Sequence, residues 1–359
     1  MSSFKDYYIV PSTLSSIRHR SECIPYYDAF YSDEQGGWCL GGSSLPIFVA
    51  PMACIIDDNN WRKFDSEGLN VIIPRTVDFK KRLHLAKNQL LWIAVGLEEF
   101  EQIIKETDEI EDQLFICLDI ANGHMRYALD LCKKGKDKFG DKLVLMFGNI
   151  ANPDTYFDYS NAGIDYCRVS IGNGQACLTN TLTGISQDIP EMLSKLKEHK
   201  NYLTNYNPYG NKIPKIVVDG GISSIRDIIV ALAMGADYVM CGKIFAQCEE
   251  ACGEIVEKYM SYTKDVVCET CSPKKITPTE FTDWVPGRMY YGMSTERAQK
   301  EMGNKKIKPA EGKEYWIPIE YKLSDWISQF VAAISSTMSY CNVTQLDDFI
   351  KKATVCKYK

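Results

Sequence analysis

The chain has 359 residues, of which 45% are hydrophobic and 25% charged, and a formal net charge of −6. That composition belongs to a globular protein large enough to close one α/β barrel. The acidic balance speaks against a nucleic-acid or anionic-membrane partner, and no apolar run reaches the length of a spanning helix. The start, Met1-Ser2-Ser3-Phe4-Lys5-Asp6, lacks the apolar stretch of a signal peptide. Fourteen cysteines without a framework spacing suit free thiols in a reducing compartment, so a cytoplasmic location is expected. Cys268-Glu269-Thr270-Cys271 is the one CxxC pair; a zinc site needs two further ligands, and none stands in a second paired motif.

Residues 1–45 read as an irregular arm rich in Tyr, Ser and Gly. Eight short β-rich apolar runs follow: Pro46–Ala50, Asn70–Ile73, Trp92–Val95, Phe115–Asp119, Leu143–Phe147, Asp165–Ser170, Lys215–Asp219 and Asp237–Cys241. Most lie about 25 residues apart, room for the helical crossover that parallel strands need. Several are continuously apolar, as strands covered on both faces are. Eight βα units predict a closed (β/α)8 TIM barrel with strands over about 46–241, in preference to an open doubly wound sheet. Residues 186–213 interrupt the unit after the sixth run. The longest excursion, about 254–312, contains Pro, Lys and Gly and reads as a mobile lid or a disordered segment. From Leu323 a helical period through Trp326, Phe330 and Ile334 predicts a C-terminal helix, to about residue 352, on the barrel's outside. There is no linker or low-complexity tract, so one domain is expected.

Polar and glycine residues recur where the predicted strands end: Asp119, Gly148-Asn149, Gly172, Asp219-Gly220-Gly221 and Gly242. Any one of them is ordinary turn chemistry; five on one rim, where barrel enzymes place their sites, make a site. The most telling is Ser170-Ile171-Gly172-Asn173-Gly174-Gln175-Ala176-Cys177-Leu178-Thr179. Glycines after a buried strand let backbone approach a ligand, and a thiol follows at the mouth of the turn with a hydroxyl two residues on. Asp219 suits a sugar diol, since a carboxylate accepts two hydrogen bonds, while Gly220-Gly221 and Gly242-Lys243 offer backbone N–H groups and a cation to an anion. Loops after strands seven and eight are the usual phosphate site of a barrel, so a phosphorylated ribose is the natural ligand.

On these residues the sequence resembles the IMP dehydrogenase/GMP reductase family over nearly its whole length. The family's Gly-x-Gly-x-x-Cys-x-Thr loop is matched by Gly172, Gly174, Cys177 and Thr179. Asp119-Ile120-Ala121-Asn122-Gly123-His124 is similar to the reductase version of the fourth strand end. Gly148-Asn149-Ile150, Tyr291-Gly292-Met293-Ser294, Glu311-Gly312 and, in the arm, Ser12-Thr13-Leu14 and Arg20-Ser21-Glu22 match as well. Two features point to the reductase branch: no insertion the size of a pair of CBS modules, and no Arg-Tyr pair between Ser294 and Glu311, where Asn304-Lys305-Lys306-Ile307-Lys308 stands. Without such a base, water is not activated to hydrolyse the covalent intermediate.

The resemblance implies a mechanism. GMP's ribose would be held by Asp219, its phosphate by backbone near Gly172, Gly220, Gly221, Gly242 and Lys243, and its base near Gly292, Met293, Ser294, Glu311 and Gly312. Cys177 would attack C2 as thiolate, with Thr179 and Glu311 as the proton route for departing ammonia, and hydride from NADPH would release IMP. Asp119, Ile120 and Ala121 would face the nicotinamide, while His19 and Arg20 would reach the cofactor's far end through oligomer packing. A potassium-like cation on carbonyls of Gly172, Gly174 and Cys177, and a homotetramer, are family habits.

Departures from the pattern fall in the shells around the substrate and cofactor. Asn180 replaces an arginine, Asn173-Gly174-Gln175 a Pro-Gly-Ser, Met52-Ala53 a Met-Asp, Arg75-Thr76 a Lys-His, and Lys243 a phosphate glycine. Lys308 is the nearest equivalent of an arginine before the lid glutamate and keeps its charge without the bidentate fork. Residues 259–283 add a loop with no counterpart. A divergent GMP reductase fits best; an IMP dehydrogenase with another water-activating group, or a nucleotide-binding homologue without turnover, are the alternatives.

Overall fold

A computed structural model describes residues 3–32, 38–267, 276–304, 306, 307 and 309–358. Its centre is a closed barrel of eight parallel strands: β1 (Ile47–Val49), β2 (Asn70–Ile73), β3 (Trp92–Val95), β4 (Leu114–Asp119), β5 (Leu143–Ile150), β6 (Tyr166–Val169), β7 (Lys215–Asp219) and β8 (Tyr238–Cys241). They pair in chain order, and β8 closes on β1. All eight expected runs are strands, and the fold is the (β/α)8 barrel that their spacing predicts.

Inward-facing residues alternate along each strand and so form layers. At the N-terminal ends, Phe48, Trp92, Tyr166 and Tyr238 meet with ring centroids 5.1 to 5.9 Å apart. Tyr27 covers this end, its ring centroid 4.9 Å from that of Tyr238 and its hydroxyl donating to the Asp237 carbonyl at 3.0 Å. Two residues further on, β4 and β6 present Cys117 and Arg168. At the C-terminal rim stand Asp119, the last residue of β4, and Asp219, the last of β7.

The arm differs from an irregular segment. Tyr7–Val10 pairs antiparallel with Thr354–Lys357, and Tyr27–Ser32 pairs with Trp38–Ser44. Both pairs draw on the β-branched and aromatic residues that fit a pleated sheet. The C-terminal region forms two helices, Leu323–Tyr340 and Leu346–Lys352, instead of one. The break comes at Asn342, whose φ of 55° is a left-handed conformation asparagine tolerates. Trp326, Phe330 and Ile334 are buried as their spacing predicts. The interruption after the sixth strand is largely the helix Ile189–Asn205.

The described part of the excursion beyond residue 254 is built of strands, which sets aside the disordered segment that is one of the two expectations. Ile255–Val267 (β9) and Ile276–Tyr291 (β10) form a long antiparallel ribbon, and Glu314–Pro318 (β11) adds a third strand along Gly287–Tyr291. Val256, Tyr259, Thr282, Trp284 and Val285 are residue types that favour strands, and they carry the signal despite Pro278 and Pro286. Arg288, buried, fastens the ribbon's base to the barrel. Its guanidinium donates to the carbonyls of Ala246, Cys248, Glu249 and Gly253 at 2.5 to 3.2 Å. These carbonyls follow β8, so β10 is held over the same rim.

Candidate active site

The loop after β6 and the segment leading into β11 meet edge to edge. Leu178 N–H donates to the Glu311 carbonyl at 2.7 Å and Lys313 N–H to the Ala176 carbonyl at 2.9 Å, flanking an antiparallel bridge between Cys177 and Gly312. This local pairing brings three side chains into line. The Cys177 thiol donates to Thr179 Oγ1 at 3.2 Å, and the Thr179 hydroxyl donates to Glu311 Oε2 at 2.8 Å across 132 residues of sequence. Cys177 is partly exposed. A thiol, a hydroxyl and a carboxylate in series can pass a proton between a nucleophile and a leaving group.

The other expected residues gather around this line. A Cβ on Gly220, whose φ is 101°, would lie 3.0 Å from Gly174 N, so the β7 rim and the cysteine loop touch. On Gly312 it would lie 2.9 Å from Ser294 Oγ, which places the Gly292–Thr295 turn against the Cys177 bridge. Thr295 closes that turn through the Gly292 carbonyl and caps the helix Glu296–Glu301. Met293 packs on the core, Gly221 adjoins Ile189, and Gly242 adjoins Met52 and Tyr290 where Lys243 begins a short helix. Gly172 packs on Asn180, and the Asn173 amide donates to the carbonyls of Ile171 and Gln187. Two of the departures from the family pattern therefore brace the loop from inside.

Asp219 Oδ2 accepts from Arg168 Nη2 at 2.7 Å and from Asn149 Nδ2 at 2.9 Å. Asp119 Oδ1 lies 3.4 Å from Arg168 Nη1, with Ile120 and Ala121 following it onto the rim. Burial opposes the charge on Arg168, but Cys117, Asp219 and Asp119 outweigh it and hold the guanidinium pKa above its usual value. Burial likewise pushes the Cys117 thiol up to about 12, against the pull of Arg168. Sequence reasoning missed Arg168 as a site residue. Its signal is an arginine at an inward position of an otherwise apolar strand, which requires a buried carboxylate partner.

Three expected residues stand apart. Lys308 lies outside the described residues, as do Cys268 and Cys271. His19 and Arg20 begin a short 3-10 turn; Ile24 N–H just beyond it donates to the Thr344 carbonyl, and Ser12, Ser15 and Ser16 bond to residues 339–342. Leu323, at the start of the 18-residue helix, is bonded to Glu250 near the rim, so the helix's far end lies about 27 Å away. Within one chain His19 and Arg20 are thus not brought to Cys177. A groove of about 650 Å³ between the terminal strands, lined by Tyr8, Arg226 and Tyr340 among others, lies on the barrel's outside and holds none of the rim residues. Among the described residues no helix is long and apolar enough to cross a membrane, and no cluster of three His, Cys, Asp or Glu could hold a metal.

The profile of the IMP dehydrogenase / GMP reductase domain matches residues 81–359. The chain is similar to a GMP reductase of Photobacterium profundum, 26% identical over 363 residues that cover 98% of this chain and 93% of the relative. It is 27% identical to a GMP reductase of Aliivibrio fischeri over 361 residues, 98% of this chain and 93% of the relative. A GMP reductase of Streptococcus agalactiae serotype Ia is 26% identical over 308 residues, 84% of this chain and 82% of the relative. A domain match across most of the chain, together with relatives of nearly its full length, makes this protein a member of the IMP dehydrogenase / GMP reductase family, and so an oxidoreductase that works with a nicotinamide cofactor.

Proposed function

We propose that this protein converts GMP, NADPH and two protons into IMP, NADP⁺ and ammonium. The observation that carries this reading is the chain of hydrogen bonds from Cys177 through Thr179 to Glu311. Cys177 gives its proton along that chain and its sulfur bonds to C2 of the purine. Glu311 returns a proton through Thr179 to the 2-amino group, the C2–N bond breaks, and ammonia leaves. A thioimidate on Cys177 remains; a C2–H bond replaces the C–S bond and the thiol is regenerated. Covalent catalysis divides one hard substitution into two easier steps.

Bound NADPH supplies the hydride. Asp119 suits its ribose: the carboxylate is part-exposed at the rim, and its Oδ2 accepts no hydrogen bond among the described residues. Asp219, with Oδ1 in the same condition, takes the substrate ribose, and Gly220, Gly221, Gly242 and Lys243 take the phosphate. Gly292, Met293, Ser294 and Gly312 surround the base, under β9 and β10 acting as a lid. A potassium ion fits carbonyl oxygens of Gly172, Gly174 and Cys177, since hard cations take oxygen donors and the Gly174 carbonyl keeps a second lone pair beside the Cys177 N–H it accepts. The protein works as a cytoplasmic homotetramer in which His19 and Arg20 serve a neighbouring subunit's cofactor.

The test is steady-state turnover with four pairs: GMP with NADPH, GMP with NADH, IMP with NAD⁺ and IMP with NADP⁺. Oxidation of NADPH that depends on GMP supports the reductase. XMP formed from IMP and NAD⁺ assigns the dehydrogenase instead, and turnover with no pair leaves a nucleotide-binding homologue.

A further inference from the structure

Arg168 lies one layer beneath the rim, because β6 turns Tyr166 and then Arg168 inward, and the carboxylates that Arg168 meets are the last residues of β4 and β7. It is 6% exposed. Its fork divides between two carboxylates: Nη2 donates to Asp219 at 2.7 Å, and Nη1 stands 3.4 Å from Asp119. These two groups come from strands β7 and β4, which are not neighbours in the barrel; the Arg168 side chain crosses the interior to join them. Asp219 makes this core contact through Oδ2 and Asp119 through Oδ1, and the second oxygen of each accepts no hydrogen bond among the described residues.

We infer that Arg168 is a positioning residue shared by two nucleotide subsites, fixing Asp219 for the substrate's ribose and Asp119 for the cofactor's. The inference rests on the functional reading above, which gives each aspartate its ribose. Two carboxylates across a barrel need a planar cation with separate donors on each arm; a lysine ammonium is a point charge and cannot hold both in the same geometry. A ligand that draws on one carboxylate changes what the guanidinium gives the other. The coupling between sites is then reciprocal, each ligand altering the other's affinity by the same factor.

The test uses full-length protein and equilibrium binding of IMP and of NADPH, a pair that does not react, each alone and in the presence of the other. Arg168→Lys, which keeps the charge, should weaken both ligands at least ten-fold and bring the coupling factor to one. Asp219→Asn should weaken IMP alone, and Asp119→Asn NADPH alone. Arg168→Met removes the buried cation; if it fails to fold, the lysine variant still decides. Dissociation constants within two-fold of wild type in folded Arg168→Lys would overturn the inference. So would a rise in one constant only, or a loss of turnover with both constants unchanged. Wild-type protein that binds IMP and NADPH but does not reduce GMP would refute the reductase reading and leave the Arg168 comparison intact. Protein that binds neither would refute both.

Discussion

Near the N-terminal ends of the barrel strands, Phe48, Trp92, Tyr166 and Tyr238 pack ring against ring, while further along the barrel Arg168 of β6, Asp119 of β4 and Asp219 of β7 form a charged layer. The aromatic end needs only shape and burial, and its groups have one packed state. The rim end keeps carboxylate oxygens, a thiol and loop backbone open to a ligand, and it carries charge that the aromatic layer shields from the far side. One set of strands therefore anchors the fold at one end and holds reactive groups at the other, which is the division of labour barrels make. The charged layer is also the vulnerable one: taking away one partner of a buried pair costs about 3–5 kcal/mol, because the other charge stays behind.

If the two ends are separable, changes at the rim should stop chemistry and spare the fold. Thr179→Val removes both hydrogen bonds of the proton line, and Glu311→Gln removes the base at its end. Each should lower kcat by about 10²- to 10⁴-fold, with the unfolding midpoint little changed. Stopped-flow NADPH oxidation beside thermal unfolding checks this; a large fall in midpoint would mean that the bridge at Cys177 and Gly312 is structural first.

Trp92→Ala tests the opposite end. It opens a cavity among Phe48, Phe115 and Tyr166 and should cost about 3–5 kcal/mol in denaturant unfolding. KM values of the remaining folded molecules should hold. A selective rise in KM would show that the aromatic layer shapes the rim after all.

A further effect concerns pH. Burial pushes the thiols of Cys54 to about 11 and of Cys117 and Cys252 to about 12, from an ordinary 9.0. Above pH 9 the unfolded chain releases these protons while the folded protein keeps them, so the unfolded state binds fewer and stability falls. The contribution is whole below pH 9 and is lost progressively as pH rises toward 12. Denaturant midpoints at pH 8, 9.5 and 10.5 should decline in that order, and a flat or rising series would contradict the burial of these thiols.

The barrel was legible because its strands announce themselves locally, as apolar runs such as Phe115–Asp119 ending in a polar or glycine residue. The strand pair Tyr7–Val10 and Thr354–Lys357 was not, since its partners stand at the two ends of the chain and neither segment names the other. The ribbon was hidden by its prolines and lysines, although it is rich in Val, Tyr and Thr. At the site, Cys177 and Thr179 can be read from one loop. Glu311 is reached only through resemblance, because no local pattern ties a glutamate to a thiol 134 positions earlier; the backbone bridge at Gly312 supplies the physical reason. Arg168 was concealed by its strand's apolar average, and its partners become visible only once the layers of the barrel are known.

The most direct test is a stoichiometric one: ammonia released, IMP formed and NADPH consumed by the wild-type protein with GMP, beside Cys177→Ala. The three products and losses should match one to one in the wild type, and the variant should fall by more than about 10⁴-fold while still unfolding at the wild-type temperature. Ammonia and IMP produced by the alanine variant at a comparable rate would contradict the covalent role of Cys177, and with it the chemistry assigned to this rim.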